Sequence, residues 1–183
     1  MLKKLLALLI ALLLIALPAL GEILVDGDVV VTEELMIEYG YDYSDEEEVA
    51  LYLHVFCELP PNFLTKDEAR DLGWVSSKGN LWDVAYGLSI GGDTFGNREG
   101  LLPKGHKYYE CDVNYYGGFR EGERLVFSED GQIYYTADHY ESFEMLYDGW
   151  YEGETAASDN YDSYSSDDYG WEDALYDFAG LFF

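Results

Sequence analysis

Glu123-Arg124-Leu125-Val126-Phe127-Ser128-Glu129-Asp130-Gly131-Gln132-Ile133-Tyr134-Tyr135-Thr136 holds two runs rich in β-branched, aromatic and aliphatic residues, Glu123 to Phe127 and Gln132 to Thr136, joined by an Asp-Gly turn. Two antiparallel strands are expected there. Working outward, Tyr108 to Tyr115 and Ser89-Ile90 before the hairpin and Ser142 to Tyr147 after it read as further strands, set off by glycine-rich turns. Upstream the pattern turns helical. Ser44-Asp45-Glu46-Glu47-Glu48 offers a cap and an acidic first turn to an apolar stripe of Val49, Leu51, Tyr52, Leu53 and Phe56, which ends before Pro60-Pro61. Thr65-Lys66-Asp67-Glu68 is a capping box for a second, short helix that stops at Gly73. Helices followed by antiparallel strands predict an α+β domain: N-terminal helices packed on a C-terminal antiparallel sheet of about five strands.

The flanks differ from this centre. Two lysines, then Leu5 to Leu17 and Pro18-Ala19-Leu20-Gly21, make residues 1–21 an expected signal peptide cut before Glu22, which implies secretion and no stable membrane anchor after cleavage. Residues 22–44 hold seven acids and the run Val29-Val30-Val31-Thr32, and are expected to be an acidic pro-region or linker. Residues 148–183 form an acidic, aromatic-rich tail with ten acids and no Lys or Arg. Residues 45–147, with 20 acids against eight bases, contain every basic residue after the signal peptide, so the chemistry is expected in that span.

The 183-residue chain carries 37 acidic and 10 basic residues, a formal charge of -27. Adhesion to nucleic acid through a broadly basic surface is thereby excluded, and a nucleic-acid function needs a local positive pocket. Two cysteines, Cys57 and Cys111, allow neither a zinc ribbon nor a disulfide scaffold; one disulfide and two buried thiols both remain open. His54 and His106 read as surface residues.

The motifs Leu59-Pro60, Asn62-Phe63, Thr65-Lys66, Gly73-Trp74-Val75, Ser77-Lys78-Gly79-Asn80-Leu81, Ser89-Ile90-Gly91-Gly92-Asp93, Asn97-Arg98-Glu99-Gly100, Gly118-Phe119-Arg120, Glu123-Arg124 and Thr136 to Tyr140 resemble the barnase and binase family of secreted bacterial ribonucleases. The resemblance spans residues 45–147 and implies the microbial ribonuclease fold. It also implies a metal-free, cofactor-free endoribonuclease, expected to be a monomer, that cuts single-stranded RNA after guanine through a 2',3'-cyclic phosphate. The partner it implies is a barstar-like protein inhibitor.

Such a reaction requires a base for the 2'-hydroxyl, an acid for the leaving 5'-oxygen and cations around the phosphoryl group. By similarity Glu110 is the base and His139 the acid, while Arg120, Arg124 and Lys66 attend the phosphate. Read alone, Glu110 would be an exposed strand carboxylate, His139 a packing residue, and the arginines a solvated pair beside Glu121 and Glu123. The resemblance assigns substrate contacts to Phe95, Asn97, Arg98, Glu99, Tyr140 and Asn80, with Glu99 accepting from the guanine edge and Tyr140 lying near the base. Asp93 and Arg98 equally well hold the loop by ion pairing. Two departures stand out: Gly96 occupies a position where serine is common, and the domain is acidic where the best-known members are basic. A competing reading makes the tail the business end, recruiting a partner or inhibiting a ribonuclease-fold carrier, with Asp159, Asp162, Asp167 and Asp168 among Tyr161, Tyr164 and Tyr169 imitating RNA.

Overall fold

A computed structural model describes residues 23–32 and 35–153. The expected signal peptide and the tail carboxylates and tyrosines named above lie outside the described residues. The elements run β1 (Leu24–Asp26), β2 (Val29–Val31), β3 (Met36–Glu38), α1 (Glu46–Phe56), β4 (Phe63–Leu64), α2 (Lys66–Asp71), a 3-10 turn (Ser76–Lys78), α3 (Leu81–Val84), β5 (Ser89–Phe95), β6 (Tyr108–Asp112), β7 (Arg124–Ser128), β8 (Gln132–Thr136) and β9 (Glu144–Asp148).

The α+β expectation describes what forms. Strands β4 to β9 make one sheet in sequence order, antiparallel from β5 to β9, with the two-residue β4 added in parallel at the edge. The Asp130-Gly131 hairpin pairs Arg124 with Thr136 and Phe127 with Ile133. Between Gly91 and Asp93 the register against β6 shifts, placing Gly91 opposite Cys111 and Asp93 opposite Glu110. Gly92 is the extra residue of this bulge, at φ +88°, a conformation that costs glycine little. The shift brings the Asp93 carboxylate to the edge of the face that Glu110 occupies.

One face of the sheet is covered by α1. Asp45 caps this helix by accepting from the Glu47 amide at 3.1 Å, and three glutamates fill its first turn, where they favour the positive end of the helix dipole. Val49, Ala50 and Leu53 press onto Cys111, Val113, Leu125 and Ile133. Leu51, Tyr52, Val55 and Phe56 point the other way, and they are buried too.

Their cover is the segment expected to be a pro-region or linker. Strands β1, β2 and β3 form a three-stranded antiparallel meander, and its Val30 and Ile37, both 0% exposed, pack on the outer side of α1. The Tyr52 hydroxyl accepts from the Gly40 amide at 3.1 Å and the Tyr43 hydroxyl from the Glu38 amide at 2.7 Å, tying the meander to the domain. A helix apolar on both sides needs cover on both sides.

The C-terminal boundary also runs further than expected. The sheet extends to Asp148, and the Tyr151 amide then donates to the His54 carbonyl at 2.8 Å. His54 is not a surface residue: its ring is half-buried, stacks on Tyr147 at 4.1 Å and bonds the Gly149 carbonyl through Nδ1 at 2.9 Å. Cys57 and Cys111 are free thiols, the first exposed at the end of α1 and the second buried beneath it.

Candidate active site

The face of the sheet opposite α1 carries the polar centre. Side chains alternate along β6, so Tyr108, Glu110 and Asp112 share this face while Tyr109 and Cys111 turn away. Glu110 is 8% exposed, which replaces the picture of an exposed strand carboxylate. Its Oε1 accepts from Lys66 Nζ at 2.5 Å and its Oε2 from the Tyr140 hydroxyl at 2.7 Å. Burial, and then the hydrogen bond to Glu110, push the Tyr140 hydroxyl well above the usual tyrosine value, so it remains a donor.

Lys66 reaches this carboxylate because α2 begins in a fixed place. The Thr65 hydroxyl accepts from the Glu68 amide and the Glu68 carboxylate accepts from the Thr65 amide, completing the capping box read from sequence. The Lys66 amide then donates to Asp93 Oδ2 at 2.9 Å, which docks the start of the helix on the bulge of β5.

Asp112 is a functional residue that sequence reasoning passed over. It is 1% exposed and accepts two bonds from Arg120, Nε at 2.5 Å and Nη2 at 2.7 Å, in the bidentate geometry that suits a guanidinium. Its Oδ1 also lies 2.7 Å from Arg124 Nε, as an ion pair off the hydrogen-bond direction, so that buried N–H has no aligned acceptor among the described residues. Arg124 Nη1 donates to the Glu123 carbonyl. The two arginines are therefore not a solvated surface pair. Burial by itself would lower the Arg120 guanidinium, but the hydrogen bond and charge of Asp112 outweigh it and raise it, so the cation persists. The Trp74 ring lies 5.7 Å from the same guanidinium. The available signal was the two-residue spacing from Glu110, which puts both carboxylates on one strand face.

His139 and Tyr140 sit in the turn after β8 at φ 58° and 75°, left-handed values that non-glycine residues adopt only when their surroundings hold them. Asp138 supplies the hold, accepting from the Ser142 hydroxyl and amide, the Thr136 hydroxyl and the Glu141 amide. These bonds, led by that of Ser142, keep the Asp138 carboxyl down at about 2. The His139 amide donates to the Gly122 carbonyl at 3.3 Å, and a Cβ on Gly122 would stand 3.1 Å from that nitrogen. Glycine at 122 thus lets the His139 turn lie against the loop that carries Arg120. The His139 ring is exposed, with its centroid 4.8 Å from that of Tyr140.

Beyond Tyr140 the site continues into the loop after β5. Phe95 and Tyr140 are in ring contact at 5.2 Å. Asn97, at φ 40°, folds the loop by accepting from the Leu102 amide at 3.1 Å and donating to its carbonyl at 2.9 Å. Arg98 and Glu99 are exposed at its tip. The alternative reading, an Asp93 to Arg98 ion pair, does not form among the described residues; Asp93 Oδ2 accepts from the Lys66 amide. Asn80 stands apart: its amide spans the Val75 amide and the Gly73 carbonyl, so it shapes its own loop. Among the described residues no group of three or more His, Cys, Asp or Glu side chains is placed to hold a metal ion.

Residues 47–147 match the ribonuclease family, a span containing every residue of this centre. The chain belongs to the ribonuclease family. This ribonuclease is 56% identical over 100 residues to the ribonuclease of Heyndrickxia coagulans, covering 54% of its own length and 92% of that protein. The same identity and length relate it to the ribonuclease of Bacillus intermedius, of which 62% is covered. The guanyl-specific ribonuclease St of Saccharopolyspora erythraea is 34% identical over 113 residues, covering 57% of this chain and 91% of that one. The relationship makes the protein an endoribonuclease with an α+β microbial ribonuclease fold. The β1–β3 meander lies outside the family span.

Proposed function

We propose that this ribonuclease is a secreted monomer that cleaves single-stranded RNA preferentially after guanine, without metal, by transphosphorylation through a 2',3'-cyclic phosphate. The observation that carries the reading is the Glu110 carboxylate, fixed by Lys66 and Tyr140 two residues along the strand from the aspartate that holds both arginines. Each carboxylate oxygen keeps a further lone pair beyond the bond it already accepts. Glu110 therefore takes the proton of the 2'-hydroxyl as that oxygen attacks phosphorus. Arg120 and Arg124, both aimed by Asp112, meet the charge that grows on the non-bridging oxygens, with Lys66 beside them. His139, exposed on its braced turn, protonates the departing 5'-oxygen, and in the second step takes a proton from water that opens the cyclic phosphate while Glu110 returns its own.

Guanine preference rests on the loop of Asn97, Arg98 and Glu99. Its backbone donors face O6, Glu99 accepts from the base edge, and Phe95 with Tyr140 bounds the site. The similarity to a relative named as guanyl-specific supports this assignment, and the family resemblance supports a barstar-like inhibitor as partner.

The test is cleavage of a short RNA containing one guanine in the presence of a chelator. Cutting 3' to guanine with a cyclic-phosphate product is expected, falling about 10²- to 10⁴-fold in His139→Ala. Cleavage abolished by the chelator, or unaffected by the substitution, would overturn the mechanism.

A further inference from the structure

The loop joining β6 to β7 carries more exposed aromatic surface than the reaction uses. Tyr116 is 67% and Phe119 66% exposed. The loop is nevertheless braced. Trp82 donates from its indole N–H to the Leu88 carbonyl at 3.0 Å and meets Tyr115 edge-on at 5.7 Å. Gly117, at φ +96°, lies so close to the same indole that a Cβ there would stand 2.8 Å from the ring. Tyr86, 83% exposed, leans on the outer side of Trp82 at 5.1 Å. On the other side, Gly79 packs against the backbone of Gly118 and Phe119, leaving no room for a Cβ.

Beneath this loop lies a cavity of about 290 Å³ whose lining includes Tyr115, Tyr116, Phe119, Glu121, Asp112 and Arg124. Asp112 and Arg124 also belong to the phosphate centre, so the cavity opens directly beside it. Its volume is near the lower end of ligand pockets, which run from about 300 Å³ upward, and suits a single planar base. A chain of charge -27 gains little from long-range attraction to an RNA backbone. Stacking on aromatic rings needs no positive charge and accepts any base.

We infer that Tyr116 and Phe119, with the cavity they border, form a base-stacking subsite for a nucleotide outside the scissile dinucleotide. Trp82 and Tyr86 hold the loop in the shape that binds. The inference rests on the RNA-cleaving reading above and adds to it a second place where the strand is gripped.

The test compares kcat/KM on the dinucleotide GpU with that on a six-nucleotide RNA containing the same step, for the full chain and for Tyr116→Ala and Tyr116→Phe. The unsubstituted protein is expected to favour the longer RNA. Tyr116→Ala should lose about 5- to 150-fold on it while cutting GpU unchanged, and Tyr116→Phe should keep the advantage because the ring stacks and the hydroxyl does not. An advantage retained by Tyr116→Ala, or an equal loss on both substrates, would overturn the subsite. Failure of the unsubstituted protein to cut GpU would instead count against the RNA-cleaving reading; polarisation binding of an all-deoxy hexamer, weakened in Tyr116→Ala alone if the subsite exists, then decides the inference independently.

Discussion

Replacing Asp112 by Asn tests whether one buried carboxylate holds the phosphate-binding arginines together. Asparagine preserves the volume but removes the charge, and the Arg120 and Arg124 side chains, 17% and 4% exposed, lose their shared counter-ion. Removing one partner of a buried ion pair costs about 3–5 kcal/mol. Arg120 stands nearer the rim and recovers some hydration, and the asparagine oxygen still accepts one bond, so the lower end, about 3 kcal/mol, applies. With a urea m-value of about 2 kcal/mol/M for a domain of this size, the unfolding midpoint should fall by about 1.5 M at constant slope. Equilibrium unfolding followed by tryptophan fluorescence measures it. A fall below about 0.5 M would mean that the arginines find other partners and that Asp112 is not their anchor. If it is, the double variant with Arg120→Gln should lose less than the two single variants together.

The meander and the half-buried histidine give two further expectations. Ile37→Ala, at a site 0% exposed against α1, should destabilise the whole domain by about 2–5 kcal/mol in a single urea transition; an unchanged midpoint would show that the meander does not share the core. Burial holds the His54 imidazole below its ordinary value of 6.5, against an opposing bond to the Gly149 carbonyl, so the unfolded chain takes up that proton first as pH falls. The contribution of His54 to stability should be complete above about pH 6.5 and lost as pH falls through its lowered folded value. Urea midpoints of the unsubstituted chain and His54→Gln across pH 5–8 should diverge in that sense, and parallel curves would refute it.

The parts of the fold that were legible are those set by neighbouring residues. The Thr65–Glu68 capping box, the acidic first turn of α1 and the Asp130-Gly131 hairpin work through groups a few residues apart, and all three form as read. The strand expected from Tyr108 to Tyr115 is shorter, ending at Asp112, because Asn114 at φ 54° leaves the extended region. Glu110, Arg120, Arg124, Lys66, His139, Tyr140 and Phe95 lie around one centre, and the resemblance had named each of them. Asn80 had the same warrant and its amide braces its own loop, a role the motif did not reveal since a motif carries a residue's position without its hydrogen bonds.

The sequence by itself determined the class of the fold, the places of α1, α2, β7, β8 and β9, and the family, because caps, turns and motif spacing are local properties of the chain. Only the tertiary structure decided what those elements face. It placed strands β1, β2 and β3, within a span expected to be an acidic pro-region or linker, as a cover for α1, for Leu51, Tyr52 and Leu53 in succession must point in different directions and a helix between two layers shows no single apolar stripe. It made Asp112 the anchor of both arginines, a role that exists only because cross-strand pairing brings Arg124 opposite it and the following loop folds Arg120 back onto it.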